Sequence, residues 1–152
     1  MSTRTALRVG ADVVSVHQVE ESVARFGSRY LERVYTPHEL ESSTGRSPVR
    51  AASLAARFAA KEATIKVLRP VGHQPDWRSV EVRRDSGGWC TMALSGHAAA
   101  LADEAGIAEL AVSLTHEGDV AAAVVVALCE PAVPSTAPVG MPVDSMDCEG
   151  GH

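Results

Sequence analysis

Apolar positions along this chain follow two rhythms. Leu7 to Val14 is a mostly apolar block, interrupted by Gly10 and the charged Asp12, and it reads as a first strand. From Val16 the interval changes. Val16, Val19, Val23, Phe26 and Tyr30 recur at the spacing of one helical face, and Gly27 inside this run predicts a bend or a break. Thr36-Pro37-His38-Glu39 has the form of a capping box with proline at the first helical position. Ser47-Pro48 is a second start signal. From there to Arg69 the chain has no Gly or Pro and is dense in Ala, and Pro70 stops the helix. Its expected apolar stripe is Leu54, Phe58, Ile65 and Leu68, which puts Glu62, one turn after Phe58, on the core-facing side.

Val71 to Asp76 reads as a short loop. Ser79 to Asp85 and Trp89 to Leu94 flank Ser86-Gly87-Gly88, a hairpin signal. His97 to Ala105 is an alanine-rich helix ended by Gly106. Ala111 to Thr115 and Val120 to Leu128 form a second hairpin across Glu117-Gly118-Asp119. Val-rich strands beside Ala-rich helices give an α+β domain. After Glu130 the composition turns to Pro, Ser, Gly, Met and acid. The expected organisation is one domain over 1–130 and a disordered tail over 131–152.

The length of 152 residues suits a single core. Aromatics make up only 4% of the chain, so Ala, Val and Leu must fill that core. The net charge of -5 argues against a nucleic-acid partner. Even so, Arg25, Arg29, Arg33, Arg50, Arg57, Lys61 and Lys66 crowd one half of the chain. Cys90, Cys129 and Cys148 have no metal-ligand spacing and fit a reduced, cytoplasmic protein. No signal peptide is expected at the start, and no stretch approaches the ~20 apolar residues of a membrane span.

Three features carry possible chemistry, and each has an ordinary explanation taken alone. Asp12 inside an apolar strand can end the strand, cap the next helix or serve a site; a buried carboxylate without a partner is costly. Glu62 and Lys66 can be an exposed i,i+4 pair, worth ~0.3–0.5 kcal/mol. His116 can be a solvated residue at a strand end. The chain has no Cys/His cluster, glycine-rich phosphate loop or nucleophile elbow.

Their joint occurrence changes the picture. Gly10-x-Asp12-x-Val14, then Arg57-Phe58-x-x-Lys61-Glu62-Ala63-x-x-Lys66, then Ser113-x-Thr115-His116 closely resemble the signatures of the holo-acyl-carrier-protein synthase family. The resemblance runs from about Arg8 to about Leu128. It implies transfer of 4'-phosphopantetheine from coenzyme A to a serine of an apo acyl or peptidyl carrier protein. It also implies an antiparallel sheet packed with one long helix, in a homotrimer with active sites between subunits. Carried over residue by residue, Asp12 and Glu62 would hold Mg2+, a hard cation that accepts one or two carboxylates plus water and phosphate. Glu62, Lys66 and His116 would be catalytic. Arg57, Lys61, Gly72, Ser113 and Thr115 would bind the coenzyme, with Lys61 and Lys66 offsetting the diphosphate charge or holding Glu62 in place.

The departures are specific. Gln18 stands where the family commonly has an arginine facing an acidic carrier helix, which leaves more of that task to Arg25 and Arg29. The 69–76 loop lacks the usual Gly-rich start but keeps Gly72. Gly88-Trp89-Cys90 replaces a common Gly-Lys-Pro, and Glu117 follows His116 where Asp or Ser is frequent. These changes suit a polyketide or other specialised pathway. They also motivate an alternative: a protein of this fold that binds coenzyme A thioesters or a carrier with lost or altered chemistry.

Overall fold

The structure, a computed structural model, describes residues 5–131. The expected tail therefore lies, past Pro131, outside the described residues. Strand β1 (Ala6–Ser15) pairs antiparallel with β5 (Val120–Cys129), and β5 pairs antiparallel with β4 (Ile107–Glu117), giving a sheet in the order β1-β5-β4. Strands β2 (Val80–Arg84) and β3 (Cys90–Leu94) form a separate antiparallel hairpin. The expected α+β arrangement of antiparallel sheets and one long helix is what the structure has. Strand β4 is longer than its sequence signal because β5 offers partners along its whole length.

Helix α4 (Val49–Leu68) is that long helix, and it packs on all three strands of the larger sheet. Alanine makes this possible. Ala55, Ala59, Ala60 and Ala63 are completely buried, so backbone can approach backbone where larger residues would hold it off. The expected single stripe is therefore incomplete: α4 is buried nearly all round, and Phe58 is only half-buried. Glu62 does not face the core. Phe58, Glu62 and Lys66 follow one another at one-turn spacing along the seam where α4 reaches the surface.

The other helices begin and end where local chemistry dictates. Gly27, at φ 55° and ψ -134°, separates α1 (Val16–Phe26) from α2 (Ser28–Val34) in a conformation that favours glycine. Helix α3 (Pro37–Ser42) has the complete capping box: the Thr36 hydroxyl accepts from the Glu39 N–H, and the Glu39 carboxylate accepts from the Thr36 N–H. Helix α5 (Gly96–Glu104) packs Ala98 and Ala102 beside Leu68 and Val80. Among the described residues no helix is long and apolar enough to cross a membrane.

Strand alternation divides β1 between two faces. Gly10, Asp12 and Val14 turn toward α4, while Leu7, Val9 and Val13 point outward and are 67%, 63% and 69% exposed. On β5 the outward residues include Val120 and Val124, which are 50% and 43% exposed. The larger sheet thus has one packed face and one open apolar face.

Candidate functional site

Gly10 brings the site together. A Cβ on this residue would stand 2.1 Å from the Ala63 carbonyl oxygen of α4. Only a bare Cα lets β1 lie this close to the helix. Two residues on, the same strand face delivers Asp12 to the surface seam of α4. There Lys66 Nζ lies 2.9 Å from Asp12 Oδ1 and also donates to the Ala11 carbonyl oxygen at 2.7 Å. The Asp12 side chain is 20% exposed and that of Lys66 52%, so the pair sits at the surface rather than in the core.

Glu62 completes the cluster. Its carboxyl pKa is pushed up, first by partial burial and then by the charge of Asp12, while Lys66 pulls it back. Two carboxylates near enough to repel, with one cation beside them, form an electrostatic site that a further cation relieves. Among the described residues no group of three or more His, Cys, Asp or Glu is placed to hold a metal. A two-carboxylate set is nevertheless what Mg2+ accepts when phosphate and water fill its other positions. Asp12 and Glu62 fit that ion by donor chemistry.

The structure does not bring the other expected residues to this cluster. Lys61 is completely buried, and its ammonium lies 2.8 Å from Glu39 Oε2, also completely buried. Lys61 Nζ further donates to the carbonyl oxygens of Trp77, at 2.9 Å, and Val80. It points into the interior, so it neither offsets a surface diphosphate nor touches Glu62. Arg57 is also buried; its Nη1 donates to the Ser53 hydroxyl at 2.5 Å and carbonyl at 3.3 Å, and its Nε has no partner. Gly72 lies exposed in the 69–76 loop with φ 84°.

Ser113, Thr115 and His116 belong to β4, with β5 between them and β1. Asp12 pairs with Ala123, which pairs with Leu114, so Ser113 and Thr115 lie on the opposite, open face from Asp12. His116 shares the Asp12 face but stands two strand spacings across the sheet, about 10 Å, and level with Val14, a further two residues along the strand from Asp12. One chain therefore splits the expected residues into separate groups.

Two supporting residues carried only weak sequence signals. Glu39 reads as a local helix cap, yet its other oxygen accepts from the Val82 N–H at 2.8 Å. Asp119 reads as a turn residue, yet it accepts from the His17 N–H at 2.6 Å and the Ser15 hydroxyl at 2.9 Å, pinning the β4–β5 turn to the start of α1. The backbone bond from His17, then the Ser15 hydroxyl, lowers its pKa. On the outer side of α1, Gln18, Glu21, Ser22, Arg25 and Phe26 line a surface cavity of about 730 Å³. Arg25 stacks over the Phe26 ring at 5.1 Å.

Known proteins resemble this chain over most of its length. Residues 8–125 match the family described as the 4'-phosphopantetheinyl transferase superfamily. A holo-[acyl-carrier-protein] synthase from Desulforudis audaxviator is 41% identical over 124 residues, covering 80% of this chain and 92% of the relative. Among solved structures, the Chronobacterium ammoniagenes ACPS–CoA complex superposes with a TM-score of 0.73 at 34% identity, covering 83% of this chain and 99% of the other. The Helicobacter pylori holo-[acyl-carrier-protein] synthase in complex with coenzyme A gives a TM-score of 0.69 at 29% identity, covering 79% and 99%.

Proposed function

The chain belongs to the 4'-phosphopantetheinyl transferase superfamily, and we infer that it is a holo-acyl-carrier-protein synthase. It transfers 4'-phosphopantetheine from coenzyme A to a serine hydroxyl of an apo carrier protein and releases adenosine 3',5'-bisphosphate. The bond that forms joins the serine oxygen to the phosphorus bearing pantetheine. The bond that breaks joins that phosphorus to the oxygen leading to the nucleotide. The serine proton leaves, and Glu62 and His116 are the side chains of this chain able to accept it.

The observation that carries this reading is the meeting of Asp12, Glu62 and Lys66 at one surface point. Phosphoryl transfer chiefly requires positioning and charge neutralisation. Asp12 and Glu62 would hold Mg2+, which when bound supplies positive charge to the diphosphate. Lys66 adds a fixed ammonium beside them, held by Asp12 and the Ala11 carbonyl.

The active assembly in this proposal is a homotrimer. The open sheet face exposes Leu7, Val9, Val13, Val120 and Val124 together, a patch of the kind that marks an interface. Ser113 and Thr115 stand on that same face. A second copy laid against it would meet Ser113 and Thr115, which a single chain keeps on the opposite face from Asp12. The carrier would dock beside α1, where Arg25 supports an acidic partner and Gln18 weakens the attraction. That change favours a carrier from a polyketide or other specialised pathway. The free thiols of Cys90 and Cys129 suit the cytoplasm.

The test is intact-mass measurement of a panel of apo carriers incubated with the protein, coenzyme A and Mg2+. One carrier should gain roughly 340 Da, the mass of the transferred group. Coenzyme A binding without a mass gain on any carrier would replace this reading with that of a binding protein of altered chemistry.

A further inference from the structure

We propose that the buried Glu39–Lys61 ion pair is a positioning device for the 69–76 loop, holding it in register with Asp12, Glu62 and Lys66 for the coenzyme. The inference rests on the coenzyme reading above, together with the coenzyme-binding role that the family resemblance implies for Gly72 of this loop, and extends it to residues that touch neither coenzyme nor metal.

Lys61 and Glu62 are neighbours in α4 but point to different sides of it. Glu62 faces the site, and Lys61 faces the segment that follows the loop. A lysine ammonium has three donors. Here they find the Glu39 carboxylate and the carbonyl oxygens of Trp77 and Val80. Those two carbonyls bracket the 3-10 turn Trp77–Ser79, the first ordered element after the loop. The loop thus leaves α4 at Arg69, where the left-handed φ of 52° turns the chain away, and returns to the same helix at Lys61. Both of its ends are tied to the helix that carries Glu62 and Lys66.

Glu39 locks the tie from behind. One carboxylate oxygen receives Lys61 and the Thr36 N–H, and the other receives the Val82 N–H of β2. The carboxylate therefore joins α3, α4 and β2 at one point. The Trp77 ring packs on Phe58 with centroids 5.1 Å apart, and Phe58 precedes Glu62 by one turn on the surface seam. The exit of the loop is held on the inside by an ammonium and on the outside by a ring.

An ion pair is a poor device for stability alone. Dry apolar residues of the same volume often serve as well or better, because both charges must give up water. Its directional bonds do what an apolar pair cannot: they fix which carbonyls of the returning chain meet the helix.

The experiment uses the full chain in a Trp89→Phe background, where Trp77 is the only tryptophan left of two. Trp89 is 75% exposed at the hairpin tip, away from the groups placed in the machinery. Lys61→Met, Glu39→Gln and the double variant Glu39→Leu with Lys61→Met are compared with the parent. The double variant leaves no uncompensated buried charge, and Glu39→Gln keeps Lys61 on its two carbonyls, so folding need not fail in all three. In folded variants, Trp77 emission should shift and coenzyme A affinity by calorimetry should fall about tenfold. The KM for coenzyme A should rise in parallel, while kcat and the carrier KM stay within about threefold.

Unchanged Trp77 emission overturns the proposal. So does unchanged coenzyme affinity, even with a lowered melting temperature, since the pair would then be merely structural. A fall in kcat at unchanged coenzyme affinity would instead place Lys61 at the reacting atoms. If the parent neither binds coenzyme A nor turns over, the coenzyme reading fails separately, and Trp77 emission still reports whether the pair holds the loop.

Discussion

Glu62 pays for its position with its own ionisation. Burial and the neighbouring Asp12 raise its carboxyl pKa, and Lys66 offsets only part of that. The folded state therefore binds the proton more tightly than the unfolded chain does. In the absence of metal, this group's contribution to stability is most favourable at low pH. It declines as pH rises through the interval from the unfolded carboxylate pKa to the raised folded one. Glu62→Gln should remove that decline and melt higher than wild type in metal-free buffer at neutral pH. The same change should cut transfer by at least about a hundredfold, the usual cost of removing a fixed electrostatic partner. Mg2+ with coenzyme A should raise the wild-type melting temperature more than that of the variant. Thermal melts across a pH series check the argument, and a less stable Gln variant would contradict it.

At the scale of elements, the decisive contact is the crossing of β1 and α4. The Ala63 carbonyl lies where a Gly10 side chain would be, so Gly10→Ala must separate strand and helix. A change of this kind should cost about 1–3 kcal/mol by denaturant unfolding. It should also lower activity beyond what stability explains, because Asp12 moves away from Lys66. A folded, fully active Gly10→Ala protein would show that the close approach has no part in assembling the site. Elements like these were legible in the sequence where their signals are local. The Thr36–Glu39 capping box, the break at Gly27, the stop at Pro70 and both hairpin turns depend on a few adjacent residues. Sidedness was less legible. An Ala-dense helix gives little periodic contrast, so Glu62 was expected toward the core and instead lies on the surface seam. The partner of Lys61 was not legible either, because Glu39 already had a sufficient local role and pairing between distant segments leaves no spacing rule. Asp12 and Lys66 came into view only through the company of their motifs, and the structure joins them directly.

At the scale of the whole molecule, the two faces of the larger sheet set the problem. Asp12 faces α4, while Ser113 and Thr115 project from the open face, and His116 stands two strands across the sheet from Asp12 and two residues further along. If neighbouring copies cover the open face, a complete site draws Asp12 and Glu62 from one subunit and, from the next, the end of β4 that carries Ser113 and Thr115 on that face and the exposed His116 beside them. Two outcomes follow. Val13→Glu places a charge in the middle of that apolar face, and the assembly should fall to monomers by sedimentation, with activity lost although Asp12, Glu62 and Lys66 are intact. The second outcome tests the sharing directly. Asp12→Ala and His116→Ala proteins should each be nearly inactive alone. Unfolded together and refolded as mixed trimers, they should regain activity, because some interfaces then combine an intact Asp12 from one chain with an intact His116 from another. Native mass spectrometry identifies the mixed assemblies. Mixed trimers that remain as inactive as their parents would mean that each chain completes its own site, and the open apolar face would then have to be explained without catalysis.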